Sequence, residues 1–177
     1  GLPSYISSFY FMDKIIDFYK KYPNIEITLI NGNRESLLDL LNKHQIDFFI
    51  YSSPIIEDIK DDDMEVVKLY PIKYTFFCRT DEYDKYKNIK SIKDIENVPL
   101  VLPVPGSNNR KFLDEILLKN DVNVNKAINI HTSEGIITGV KNSLGIGYII
   151  SDIIKDDDNF KCIDIDTKLH EEEIALI

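Results

Sequence analysis

Short apolar runs alternate with amphipathic segments along almost the whole chain, and this rhythm limits the possible folds more than any other feature. Ile25–Ile30 alternates as a strand should. Leu37, Leu38, Leu40 and Leu41 then mark a helix, and residues 46–51 are nearly continuous apolar, as in a strand buried on both faces. The pattern continues with strands over 64–70 and 74–78 separated by Pro71, and a short helix opened by the capping-box residues Ser91 and Asp94. A strand at 100–102 and a helix bearing Phe112, Leu113, Ile116 and Leu117 on one face come next. A strand at 127–130, a helix at 133–142, and strands at 146–150, 160–165 and 173–177 complete it. Strand–helix alternation is the signature of a mainly parallel sheet covered by helices. The two halves of the chain carry similar element orders, which predicts two α/β lobes, with crossings near Pro71–Tyr74 and Ser151–Asp156.

Residues 5–21 predict a helix with an unusual surface. At 100° per residue, Phe9, Phe11, Met12, Ile15, Ile16, Phe18 and Tyr19 fill an arc of about 180°, whereas a helix that only covers a sheet needs a stripe of roughly 100°. Either a second partner such as another subunit covers the surplus, or this is an aromatic-rich core helix.

Composition excludes several classes. The formal net charge of −9 repels phosphate backbones, so direct nucleic-acid binding by this segment is not expected. No apolar stretch reaches the roughly 18 residues of a membrane span, and the opening residues lack a signal-peptide pattern. Cys78 and Cys162 each lie in an apolar run and are expected to be buried free thiols in a reducing compartment, so a cytoplasmic location is predicted. The acidic runs Asp61–Asp63 and Asp156–Asp158 lack calcium-loop spacing, and His44, His131 and His170 lack metal-ligand spacing. Residues 106–111 do not match a phosphate loop, and no nucleophile elbow occurs. No catalytic residue, metal or cofactor is therefore expected.

The informative pattern is a repeated junction. At Pro3-Ser4-Tyr5, Gly32-Asn33, Gly106-Ser107-Asn108-Asn109 and Thr132-Ser133, a small polar residue stands between a strand position and a helix. Ser, Thr and Asn cap such helices, and the free amides of a first turn also favour an anion or carboxylate. In open α/β sheets these junctions gather where ligands bind. Gly106 permits close approach to the backbone, and Arg110 could offer a bidentate donor to a carboxylate.

Several segments in order, Tyr22-Pro23-Asn24-Ile25-Glu26-Ile27, Gly32, Leu37-Leu38, Leu41 and Gln45-Ile46-Asp47, resemble the effector-binding domain of LysR-type transcriptional regulators. Pro99–Leu102, Gly106-Ser107, Arg110, Ser133–Ile136 and Ser143–Ile149 resemble the second half of that domain; Ser151 stands near a position where the family often has proline. The resemblance implies an α/β type 2 periplasmic-binding-protein fold of two Rossmann-like lobes. The first lobe would comprise residues 1–71 plus 155–177 and the second residues 72–154. It also implies a small-molecule effector in an inter-lobe cleft, anionic or carboxylate-bearing given the helix starts. The ligand positions it implies are Ser4, Tyr5, Asn33, Ser52, Ser53, Ser107 and Thr132 or Ser133, and the junctions read above add Asn108 and Arg110. Further implications are a homodimer pairing first-lobe and second-lobe helices, a tetramer in full length, and DNA contact only through a winged helix-turn-helix preceding this segment, which would start just after its first strand begins. An extracytoplasmic solute-binding protein, or an enzyme such as a deaminase carrying a cofactor on cysteine, would share the fold.

Overall fold

A computed structural model of the chain describes residues 1–52 and 64–177. It divides into two compact units, Gly1–Pro71 with Glu172–Ile177, and Ile72–Glu171.

In the first unit, a helical stretch opens as α1 (Ser4–Ile6), widens into a π-helical turn over Ser7–Phe11, and continues as α2 (Met12–Lys21). Helix α3 (Arg34–Asn42) starts at Asn33, whose side-chain oxygen accepts from the Ser36 amide at 2.9 Å, the expected cap. The short strand β1 (Ile50–Ser52) pairs antiparallel with β7 (Glu171–Leu176), with Ser52 opposite Ile174 and Ile50 opposite Leu176. Leu37, Phe49, Tyr51 and Ile177 form the core of this unit, with Leu38, Leu41 and Ile46 packed against it.

The expected strand at Ile25–Ile30 is not formed; the region carries only an isolated parallel bridge between Leu2 and Asn31. Alternation supplies two faces, but a strand also needs a neighbour over its length. Here Leu2 supplies the pairing at one end, its amide donating to the Ile30 carbonyl and its carbonyl accepting from the Gly32 amide.

The second unit is built on a five-stranded sheet in the order β4-β3-β5-β2-β6. Its strands are β2 (Val67–Arg79, whose first residues belong to the first unit), β3 (Leu100–Pro103), β4 (Ala127–Ile130), β5 (Ile146–Ile150) and β6 (Phe160–Ile163). β3 is parallel to both β4 and β5, whereas β2 runs antiparallel to β5 and β6. β3 and β5 are buried along their whole length, as their unbroken apolar sequence dictates. The short helix α4 (Tyr83–Tyr86) follows β2, and Ser91 and Asp94 form the expected capping box on a 3-10 turn. Helix α5 (Asn108–Lys119) buries Leu113 and Leu117. Helix α6 (Ser133–Lys141) lays Ile136 and Val140 against Val101, Ile149 and Phe77. At Gly145, with φ of +147°, a Cβ would lie 2.1 Å from the Pro99 carbonyl oxygen, so only glycine fits the turn into β5.

Three further expectations differ from the structure. The two strands expected on either side of Pro71 are one continuous strand, because proline's fixed φ suits extended backbone. Residues 155–171, assigned above to the first lobe, belong to the second unit, because β6 pairs with Phe76–Arg79 of β2 and Asp166 donates its amide to the Lys90 carbonyl. Cys78 is buried but Cys162 is exposed: in an antiparallel pair with Cys162 opposite Phe77, Cys78 and Cys162 point to opposite faces of the sheet. Both thiols are free, and burial pushes that of Cys78 up to about 11.

Candidate functional site

The polar residues singled out above fall into two groups, one in each unit. In the first unit, the carboxyl end of β1 brings Ser52 beneath the start of α1, where its Oγ lies 2.9 Å from the Tyr5 hydroxyl. Ser52 is buried, and burial raises the Tyr5 phenol well above its ordinary value, so it stays a neutral donor and acceptor across the working range. Ser4 is exposed at the first position of α1, with Pro3 before it and no side-chain cap. Asn33 spends its side-chain oxygen on the amide of Ser36, while the Ser36 hydroxyl donates to the Asn33 carbonyl. Ser53 lies outside the described residues.

Two neighbours of this group were missed. Glu172 and Ser52 are the buried polar side chains among the described residues. Ser52 pairs with Ile174, and Glu172 precedes Ile174 by two, so the carboxylate projects from the same face as Ser52. The signal was present in the alternation of Glu172 with Ile174, but the acidic run Glu171–Glu173 hid it. Tyr51, raised by burial, has a hydroxyl that takes a hydrogen bond from the backbone of Arg34.

In the second unit, Ser107 occupies the N-cap position of α5 without capping it; its hydroxyl donates instead to the Val104 carbonyl at 2.9 Å. The first-turn amides of α5, beginning at Asn108, are therefore not taken by the cap side chain. Gly106 precedes them at φ +86°, and a Cβ there would have nothing within 4 Å, so the backbone faces open space. Such a turn can receive an anion. At the start of α6 the cap is Thr132, which accepts from the Gly135 amide at 3.1 Å, and Ser133 is the first helical residue.

Arg110 departs from its expected role. Its Nε donates to Asp114 at 2.6 Å, and its Nη1 donates to the Pro103 carbonyl at 3.0 Å and to Asn129 at 2.7 Å. Its side chain is only 12% exposed. The guanidinium thus ties α5 to the ends of β3 and β4, and its fork is turned onto the protein itself. His170, expected in a surface or loop position, lies between strands but stacks its ring on Phe112, centroids 3.4 Å apart. Among the described residues no group of three His, Cys, Asp or Glu side chains is placed to hold a metal ion, and no helix is long and apolar enough to cross a membrane.

Comparison with known proteins gives this arrangement a context. The family model of the LysR substrate binding domain matches residues 1–177. A curated relative, the HTH-type transcriptional regulator CzcR of Bacillus subtilis (strain 168), is 26% identical over 135 residues, covering 76% of this chain and 43% of its own length. The chain thus spans less than half of that relative. The regulatory domain of Synechocystis PCC6803 CcmR, solved in complex with 2-PG, superposes with a TM-score of 0.75 at 17% identity, over 99% of this chain and 83% of that one. A reduced form of OxyR from N. meningitidis gives 0.75 at 14%, over 99% and 83%. The effector binding domain of QuiR in complex with shikimate gives 0.74 at 15%, over 99% and 83%. At these identities the structural likenesses establish the fold, a type 2 periplasmic-binding-protein-like α/β architecture.

Proposed function

Since this chain belongs to the LysR substrate binding domain family, we propose that it is the small-molecule sensor of a transcriptional regulator, and that its ligand is an anionic, carboxylate- or phosphate-bearing metabolite. The observation that carries the ligand class is the start of α5. Its first-turn amides are not taken by the Ser107 side chain, and Gly106 leaves the approach open. A helix N-terminus presenting free amides favours negative charge. Ser4, Tyr5, Asn33 and Ser52 are the ligand positions proposed in the first unit, and Ser107, Asn108, Thr132 and Ser133 those in the second. Ser53 belongs to the first set on the strength of the resemblance alone. Arg110 acts there by holding α5 in place. The fold's solved relatives include domains in complex with 2-PG and with shikimate, which supports a small-molecule ligand.

Binding one state of a regulator better than another shifts its population, and the DNA response follows from that difference. DNA contact would be made by a part of the full-length protein outside this chain, whose own charge of −9 is unsuited to it. A cytoplasmic, non-catalytic protein fits this reading. The extracytoplasmic solute-binding alternative is not favoured by the family match.

Self-association is part of the proposal. On α2 and just beyond it, Met12, Ile16, Phe18, Tyr19 and Tyr22 are all exposed by 41–52%, and no residue of α2 is buried. On α5, Leu118 is 84% exposed. These faces supply the homodimer surfaces, and a tetramer in full length would reuse them.

The test is a thermal-shift screen of small carboxylates and phosphate esters against the isolated chain. A stabilising compound should lose at least about tenfold in affinity in Gly106→Val, which blocks the approach, and in Tyr5→Phe, which removes a hydroxyl. A screen in which only cations or neutral apolar compounds stabilise the chain would overturn the ligand class.

A further inference from the structure

The chain contains three arginines, Arg34, Arg79 and Arg110. Two of them are spent on the protein itself. Arg79 pairs with Asp81, and Arg110 pairs with Asp114 while bonding the Pro103 carbonyl and Asn129. Arg34 is different. Its Nε is buried and has no hydrogen-bond partner among the described residues, and none of the ion pairs among them includes its guanidinium. A guanidinium carries five donors in a fixed fork, and a buried donor left unmet costs free energy. A donor of this kind is explained by an acceptor that arrives with a ligand.

Helix stability does not account for this residue. Arg34 is the first residue of α3, at the positive end of the helix dipole, where an acid is favoured and a cation is not. Two amides of that turn are already taken: the Ser36 amide donates to the Asn33 side chain, and the Arg34 amide donates to the Tyr51 hydroxyl. α3 therefore presents a charged side chain where α5 presents free amides. Tyr51 belongs to the core of the first unit, which fixes its hydroxyl beside the start of α3. Burial raises that phenol, the Arg34 amide and, less strongly, the Arg34 charge pull it down, and the Glu172 charge pushes it up. The guanidinium thus acts on a neutral hydroxyl held in place by the core, within the same polar group as Asn33 and Glu172.

We propose, resting on the anionic ligand class above, that Arg34 is the residue of the first unit that recognises ligand charge: the guanidinium edge bearing Nε takes an acidic group, a carboxylate or a phosphate, beside the Tyr51 hydroxyl. The contact is a pair of charge-assisted hydrogen bonds, since the fork matches two oxygens lying side by side. It adds a full positive charge to the site, which the neutral amides of α5 do not supply. The amide of the same acid offers neither the charge nor the second oxygen and is rejected. Arg110 and Arg34 therefore divide the work: the first holds a helix in place and the second holds the ligand.

The test compares the chain with Arg34→Gln and Arg34→Lys, with succinate, citrate and inorganic phosphate as probes and succinamide as the neutral control. The affinity of the stabilising anion should fall at least about tenfold in Arg34→Gln and recover only in part in Arg34→Lys, and succinamide should stabilise none of the proteins. Without ligand, the melting midpoint of Arg34→Gln should be unchanged or higher, because the cost of an unmet buried donor is removed. Gly106→Val, at the start of α5, separates this site from the ligand class. Anion binding that survives Arg34→Gln but is lost in Gly106→Val would overturn the role of Arg34 and leave the class standing. Stabilisation by none of the three anions would overturn both. A ligand-free midpoint lowered by more than about 5 °C in Arg34→Gln would show that the guanidinium serves the fold, and would overturn the proposal as well.

Discussion

Replacing Arg110 by alanine removes a guanidinium that holds three elements together. Its Nη1 donates to the Pro103 carbonyl at the end of β3 and to Asn129 on β4, and its Nε pairs with Asp114 one turn along α5. The two Nη1 bonds contribute on the order of 1 kcal/mol each. The Asp114 partner is 46% exposed, so solvent screening leaves about 0.5 kcal/mol there. The buried aliphatic stem adds roughly 0.5–1 kcal/mol. Together Arg110→Ala should cost about 3 kcal/mol. For a chain of this size that lowers the melting midpoint by roughly 6–12 °C. Lysine keeps the charge but cannot span three partners, so Arg110→Lys should recover only about a third of the loss. Asp114→Ala should cost about 0.5 kcal/mol. Urea unfolding followed by circular dichroism measures the loss, and amide exchange in β3, β4 and α5 localises it. A change below about 0.5 kcal/mol for Arg110→Ala would refute the clamp and return this side chain to the ligand.

Further outcomes follow from other contacts. Tyr5→Phe and Ser52→Ala should each cost about 1 kcal/mol, and the double variant little more than either, because both remove the same 2.9 Å hydrogen bond; full additivity in a double-mutant cycle would show the hydroxyls to be independent. At pH 8 a thiol reagent should modify the exposed Cys162 quickly and the buried Cys78 only after unfolding, its thiol being pushed up to about 11; equal rates would contradict the burial. The backbone amides of Lys90 and Ser91 hold the Asp94 carboxyl below its ordinary value. A depressed folded-state pKa means stability that is present above the unfolded pKa and lost as pH falls through the folded one. Asp94→Asn should therefore flatten the acid limb of the stability curve below about pH 4, and an unchanged limb would assign it elsewhere. Ile16→Glu with Tyr19→Glu should yield a smaller particle by sedimentation at unchanged helicity, if the exposed face of α2 is an interface.

Much of the architecture could be read from the residues. β4 and β5 lie where their apolar runs end, and α5 and α6 start at the junctions marked by Ser107 and Thr132, because periodicity and capping are local properties. Pairing is not local. Residues 25–29 alternate as a strand should and still lack a full ladder, and residues 155–171 joined the second unit through a partner, β2, that no pattern in β6 reveals. The same distinction governs the candidate site. Composition could nominate Arg110 as a donor to a ligand, but only the positions of Pro103 and Asn129 show its fork turned inward. Glu172 was hidden for the converse reason, since its burial depends on the register of β7 against β1.

The widened turn at Ser7–Phe11 has an effect on spacing. A π-turn accommodates one more residue than the α-helix would, so side chains beyond it are rotated by about 100° relative to those before it. Tyr5 and Ile6 thereby keep their inward bearing while the aromatic side chains of α2 swing outward. Deleting a single residue from Ser8–Tyr10 would close the loop of extra backbone and reset the phase, turning the sticky face of α2 away from solvent without touching one of its residues.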